Sequence, residues 1–220
     1  MTVPAHEVDV GNTLHIRLPN EIYNDLSDEA LDARLTAHRI ESDECQLEFD
    51  GAVNGRGRCW IAGPGARLRE FHSGFGLKIA RLFANEKSEV FPTRAAYLYY
   101  DEGDFSFFHH DAVHAHITVI VGLTDRLLPL LTYPDFTHIN DIDVSRLNAI
   151  DVSGDVDFSE EIAQEFGNRA LARSVEIPRQ QAVAIRGRRV PHARPKQPNA
   201  GTICTACYSF LVPPQGWTII

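Results

Sequence analysis

Residues 100–111 read Tyr-Asp-Glu-Gly-Asp-Phe-Ser-Phe-Phe-His-His-Asp. Apolar side chains carry this stretch to a His-x-Asp pair, His109 and Asp111. In an extended strand, residues two apart project to the same face, so both side chains can reach one point from the wall of a barrel. A third group stands far downstream. Residues 181–186, QAVAIR, read as a buried strand, and Arg188-Arg189-Val190-Pro191-His192 follows. Two imidazoles and one carboxylate can occupy one face of an octahedral iron(II) and leave three adjacent positions open. His109, Asp111 and His192 are therefore the expected metal ligands. His110 points to the opposite face of the strand and is expected to pack or to support the ligands.

The surroundings of these motifs are rich in strands. Residues 94–100, 107–111, 115–123, 127–133, 174–177, 181–186 and 202–212 all read as strands, most of them separated by turn residues. Such a series predicts a sandwich or barrel. Residues 134–173 interrupt it. They are polar and acidic, with one helical segment at 159–172 behind a Ser-Glu-Glu start, and read as an insertion that shapes substrate access and holds no metal ligand. Upstream, residues 27–40 read as a helix carrying Leu31, Leu35 and Ile40 on one face. Short strands at 46–49 and 59–62 flank the turn GAVNGRG, and 65–85 reads as one helix with Leu68, Phe71, Phe75, Ile79, Leu82 and Phe83 along its apolar face. The expected architecture is mainly β with flanking N-terminal helices: a double-stranded β-helix, that is, a jelly-roll or cupin-like barrel. One domain spans 1–220, with 1–93 as helical and strand support and 94–212 as the core.

The order of these motifs resembles the iron(II)/2-oxoglutarate oxygenase superfamily, in particular its prolyl-hydroxylase-like branch. That branch runs Tyr-x-x-Gly, His-x-Asp, a hydrophobic strand, then a distal Pro-His. This chain has Tyr100-x-x-Gly103, His109-x-Asp111, ITVIVGL at 117–123 and Pro191-His192. The resemblance covers residues 94–212. It implies an iron(II)-dependent dioxygenase in which His109, Asp111 and His192 are the catalytic metal ligands, with 2-oxoglutarate as co-substrate and O2 as oxidant. Asp111 stands where the halogenating branch has Gly or Ala, so hydroxylation, desaturation or ring formation is the expected outcome. One departure bears on the co-substrate. The family carries Arg or Lys about ten residues beyond the distal His, where it grips the far carboxylate of 2-oxoglutarate. Here that position falls on Thr202 or Ile203, and no Arg or Lys follows Lys196. The expected anchor is a displaced basic residue, Arg126 or Arg94 first, with Arg186 and Arg194 also in view. Tyr100 and Thr202 would add hydrogen bonds.

Three alternatives use overlapping residues. The first keeps fold and metal but draws its electrons from the substrate, without 2-oxoglutarate. The second is a cupin-type site built on His109 with His114 or His116, although the Glu that cupins place three or four residues later is replaced by Val119 and Ile120. The third is a binding module without turnover, whose mark would be a broken triad.

Composition limits the partners. A net charge of −9 over 220 residues argues against nucleic acid or an anionic membrane surface as a partner, since either needs a basic face. No apolar run approaches the roughly 18 residues that span a bilayer, and the first twenty residues lack the basic start and apolar block of a secretory signal. Cys45, Cys59, Cys204 and Cys207 are too few and too scattered for a disulfide scaffold, which fits a reducing, cytoplasmic setting. Cys204 and Cys207 form a CxxC, but within a strand they face opposite sides, and no second pair completes a zinc site. The expected substrate is a small molecule such as an amino acid or biosynthetic intermediate. The acidic residues Asp141, Asp143, Asp151, Asp155 and Asp157, with His138 nearby, read as a solvated loop rather than a site for a cation.

Overall fold

The computed structural model describes residues 8–9, 13–42, 46–47, 53–54, 57–85, 88–125, 129–134, 173–198 and 200–213. The elements run in chain order β1 (Val8–Asp9), β2 (Thr13–Arg17), α1 (Asn20–Arg34), β3 (His38–Ser42), β4 (Gln46–Leu47), β5 (Val53–Asn54) and β6 (Gly57–Ala62). Next come α2 (Ala66–Ser73), α3 (Phe75–Ala84), β7 (Phe91–Tyr100), β8 (Phe105–His109), β9 (Ile117–Gly122) and β10 (Leu130–Thr132). The last are β11 (Arg173–Val175), β12 (Gln181–Ile185), β13 (His192–Arg194) and β14 (Ile203–Leu211). One sheet of twelve strands has the order β1-β2-β12-β9-β14-β7-β6-β8-β13-β10-β11, with β3 added on β6, and β4 and β5 form a separate ribbon. The paired strands are antiparallel. The sheet curls until β8, β10 and β13 share a cavity with β7, β9 and β14. This is the expected double-stranded β-helix.

The central strands are apolar throughout because both of their faces are covered. Every residue of β9, ITVIVG, is buried. A strand covered on one face only would alternate. On β14, Cys204, Ala206, Tyr208 and Phe210 belong to the core beneath the helices, while Cys207 and Ser209 line the cavity. The CxxC pair is therefore split between two faces, as its spacing predicts.

The N-terminal elements depart from expectation in three places. Helix α1 starts at Asn20, behind Pro19, rather than at Ser27. Its buried face is Tyr23, Leu26 and Ala30, whereas Leu31 and Leu35 are 73% and 86% exposed. The Tyr23 hydroxyl donates to the Leu123 carbonyl at 3.1 Å and so orients the helix on the barrel. Ile40 lies on β3, which the helical reading had absorbed. In consequence β6 pairs with β3, and β4 pairs with β5 instead of with residues 59–62. The helix expected at 65–85 is two helices broken at Gly74. Leu68, Phe71 and Ile79 are buried but Leu82 is exposed. Beyond the break, Gly76 packs so close to Phe71 that a Cβ there would lie 2.8 Å from the ring, which accounts for a glycine inside a helix.

A carboxylate joins helices to sheet. The first residue before α2 is Gly65, which offers no side-chain cap. Glu29 of α1 accepts instead from the backbone N–H groups of Arg67 and Leu68, at 2.8 and 2.9 Å, and from the Tyr97 hydroxyl of β7 at 2.9 Å. A negative charge at a helix N-terminus satisfies orphan donors and opposes the helix dipole. At the other end of the chain, Leu130 pairs with Val175 and Thr132 with Arg173. The expected insertion therefore departs and returns through adjacent antiparallel strands. Residues 135–172, with the expected helix at 159–172 and His138, lie outside the described residues, as does Arg126. Among the described residues no helix is long and apolar enough to cross a membrane.

Glu29→Ala should lower the free energy of unfolding by about 1–3 kcal/mol, since it leaves α2 uncapped and the buried Tyr97 hydroxyl without its acceptor. Chemical denaturation of the two proteins measures it.

Candidate metal centre

His109 closes β8 and His192 opens β13, and the two residues are register partners. Their ring centroids lie 4.3 Å apart. Asp111 follows two residues after β8. Its Oδ1 is 3.8 Å from His109 Nε2 and 3.5 Å from His192 Nε2. One donor atom from each of the three lies within 4.8 Å of the others, and no other such group of His, Cys, Asp or Glu occurs among the described residues. The three side chains expected from sequence are thus gathered at one point.

Each is held by its surroundings. The Thr118 hydroxyl of β9 donates to Asp111 Oδ2 at 2.5 Å, and the Asp111 N–H donates to the Gly187 carbonyl at 3.1 Å. A Cβ on Gly187 would stand 1.8 Å from Asp111 Oδ2, so the carboxylate occupies space that only glycine leaves free. His192 Nδ1 lies 3.0 Å from the Val190 carbonyl oxygen. In the neutral ring that contact places the proton on Nδ1 and leaves the Nε2 lone pair facing Asp111. Electrostatics reinforce the cluster. Burial alone would raise the Asp111 carboxyl, but His192, His109 and the Thr118 hydroxyl more than reverse this and hold it well below the usual carboxylate range. Burial would lower the His192 imidazole, yet the adjacent Asp111 carboxylate pushes it above its ordinary value.

A cavity of about 430 Å³ opens on these residues. Tyr100 and Arg194 line it, each only 3% exposed. Arg194 follows His192 by two residues on β13, and its guanidinium lies 4.9 Å from the centroid of the Tyr100 ring. Arg94 also lines the cavity but is exposed. The remaining expected contacts lie elsewhere. Thr202 precedes β14, is exposed and donates to Asp101 at 2.5 Å, outside the cavity wall. Arg186 sits 5.1 Å from the Phe83 ring centroid and is not among the lining residues. His116 Nδ1 accepts from the Val212 N–H at 3.0 Å, and neither His114 nor His116 joins the ligand cluster, which removes the cupin-type arrangement. His110 is buried.

Sequence reasoning missed Thr118 and Gly187. The signal for Thr118 is its hydroxyl inside the otherwise apolar run ITVIVG. For Gly187 it is a lone glycine between an apolar strand and basic residues.

No protein-family model matches the sequence, and no curated protein does. Solved structures do resemble the fold. SnoN, a non-haem α-ketoglutarate-dependent epimerase from nogalamycin biosynthesis, superposes with a TM-score of 0.62 at 14% identity, covering 93% of this chain and 82% of that one. A prolyl hydroxylase from Trichoplax adhaerens, solved with a hypoxia-inducible-factor peptide, gives 0.61 at 13% identity over 93% and 85%. HygX from Streptomyces hygroscopicus, holding nickel, 2-oxoglutarate and hygromycin B, gives 0.56 at 8% identity over 96% and 86%. The chain therefore has the fold of the iron(II)/2-oxoglutarate oxygenases, as the order of its motifs leads one to expect.

Thr118→Val keeps the volume and removes the hydroxyl, and Gly187→Ala displaces the carboxylate. Each should weaken cobalt(II) or iron(II) binding by about 10- to 100-fold, the usual effect of losing a group that orients a ligand. In the native protein the metal must displace the proton that Asp111 favours on His192. Affinity should therefore fall as pH decreases, beginning above the ordinary histidine value of about 6.5. Calorimetric titrations at several pH values test both points.

Proposed function

We propose that this protein is a mononuclear non-haem iron(II) oxygenase that uses 2-oxoglutarate and O2 to hydroxylate, desaturate or cyclise a small molecule. The observation that carries this reading is the His109–Asp111–His192 cluster, set in one cavity with a buried guanidinium. The donor set fits iron(II): two neutral imidazoles and one ionised carboxylate, supplied from one side. When bound, iron supplies oxygen activation and 2-oxoglutarate the two electrons that O2 requires beyond those of the substrate.

The residues of the chain then have distinct tasks. His109, Asp111 and His192 hold the metal, while Thr118 and the Val190 carbonyl fix the orientation of two of these ligands. Arg194 and Tyr100 take the far carboxylate of 2-oxoglutarate. A buried dicarboxylate needs a charged partner, and Arg194 is the buried guanidinium of this cavity. Burial pushes the Tyr100 phenol well above its ordinary range, so its hydroxyl remains protonated and able to donate. Among the described residues Arg194 is thus preferred as the anchor to Arg94, which is exposed. Ala96, Leu98, Ile120 and Leu130 form apolar walls that keep water from the reacting atoms. The motive for an oxidase without 2-oxoglutarate was the missing basic residue after Lys196, and Arg194 provides that charge from β13.

The nickel and 2-oxoglutarate in HygX, and the Fe3+ and α-ketoglutarate in a further SnoN structure, support this choice of cofactors by analogy. One oxygenase domain of 220 residues is part of the proposal, because β2, β3 and β6 hydrogen-bond into the sheet formed by the later strands. A cytoplasmic setting is part of it too, in keeping with the free thiols of Cys59, Cys204 and Cys207.

His109→Ala, Asp111→Ala and His192→Ala should each nearly abolish iron binding. Arg194→Gln should raise the KM for 2-oxoglutarate by about 10- to 100-fold with iron content unchanged, as expected from losing a charged hydrogen-bond pair worth about 1.5–3 kcal/mol. The assay is oxygen-dependent release of succinate. Full turnover of the substrate without 2-oxoglutarate, and no succinate when it is added, would overturn the proposal.

A further inference from the structure

We propose that Arg94 binds a carboxylate of the substrate, so that the small molecule acted on is an anion. This inference rests on the function proposed above and adds the substrate class. An exposed arginine alone implies only hydration. Three further observations distinguish this one.

The first is its place on the sheet. Arg94, Ala96, Leu98 and Tyr100 alternate along β7 and all line the cavity. Tyr100 lies six positions beyond Arg94, roughly 20 Å along an antiparallel strand. Arg94 and the Arg194–Tyr100 pair therefore serve opposite ends of the cavity. The second is its row. Arg94 pairs with Ser209 of β14, and Ser209 pairs with Thr118 of β9. Two strand spacings place Arg94 roughly 10 Å from Thr118, whose hydroxyl holds the Asp111 carboxylate. Arg94 and Ser209 thus stand level with the metal centre, within the length of a small molecule, at the solvent-facing end. The third is charge. Iron(II), Asp111, 2-oxoglutarate and Arg194 together are neutral. Glu41, the other acid of the cavity wall, shares Arg39 with Asp104, at 3.0 Å against two contacts of 2.7 Å, and is 56% exposed, so water screens its charge. No ion pair or hydrogen bond from a described residue holds the Arg94 guanidinium. Among the described residues its charge is uncompensated, and the planar fork of a guanidinium suits a carboxylate in particular.

The test uses the full chain loaded with zinc(II) and 2-oxoglutarate, which forms the site without turnover. The probes are matched sets of small molecules, each a carboxylate beside its primary amide and its amine, with dissociation constants measured by ligand-observed NMR. The carboxylates should bind at least about tenfold tighter than the amides, as for a charged hydrogen-bond pair. In Arg94→Gln this preference should collapse to within about twofold, with an unchanged dissociation constant for 2-oxoglutarate. No carboxylate preference in the native protein would overturn the inference, as would one that survives Arg94→Gln. So would a preference for the amines, which the acidic stretch 141–157 would favour. If Arg94→Gln instead weakens 2-oxoglutarate binding, Arg94 holds the co-substrate and the inference fails while the oxygenase reading stands. If the native protein takes up neither zinc(II) nor 2-oxoglutarate, both fail together.

Discussion

The Asp111 carboxylate is the point on which the site depends. It stands just beyond β8, accepts from Thr118 of β9, and fills the space left by Gly187 after β12. Asp111, Thr118 seven residues further on, and Gly187 far downstream therefore meet at one side chain. A carboxylate buried among apolar strands is unfavourable unless its oxygens are satisfied. Here one oxygen has a hydroxyl and the other faces two imidazoles. The arrangement is complete only when β8, β9 and β13 are all in register, so folding the barrel and assembling the ligands are one event. A metal ion held by these three residues would stabilise the same geometry, because the unfolded chain does not gather them.

From that point the cavity extends in two directions of different character. Inward it ends on Arg194 and Tyr100, both buried, where a guanidinium and a protonated phenol can meet a carboxylate out of contact with water. Outward it ends on Ser209 and the exposed Arg94. The burial of the inner end makes a charge there strongly felt, whereas water screens a charge at the outer end. The barrel thus offers a dry, permanently charged end and a wet, exchangeable one, a division suited to a fixed co-substrate and a variable substrate.

Much of this was legible in the sequence, and the failures have physical causes. His109, Asp111 and His192 could be picked out as candidate metal ligands because strand periodicity and metal chemistry both constrain them, and the fold brings them together. The core strands could be read because burial on two faces makes them continuously apolar, as in ITVIVG. The start and buried face of α1 were misjudged because Leu31 and Leu35 follow helical spacing as well as Tyr23, Leu26 and Ala30 do, and only tertiary contacts decide which stripe is covered. The break at Gly74 was ambiguous for a similar reason, as a glycine can end a helix or sit within one. Sequence gives no ground for preferring Arg194 to Arg94, because the depth of Arg194 in the cavity follows from the curl of the sheet. Thr202 was expected from the family's spacing, but it precedes β14 and turns to Asp101. Thr118 and Gly187 show in the sequence only as a hydroxyl within ITVIVG and a lone glycine after an apolar strand; that both meet Asp111 is fixed by how the strands pack.

The central claim is that iron(II) and 2-oxoglutarate bind together in this one cavity. Anaerobic titration of 2-oxoglutarate into the iron(II)-loaded protein, followed by visible absorption, tests it most directly. The chelate of a 2-oxo acid on iron(II) gives a metal-to-ligand charge-transfer band that neither component has alone. The account predicts a saturable band, one co-substrate per iron, that is lost in His192→Ala and needs higher concentrations of 2-oxoglutarate in Arg194→Gln. Tightly bound iron with no such band at any concentration of 2-oxoglutarate would contradict it.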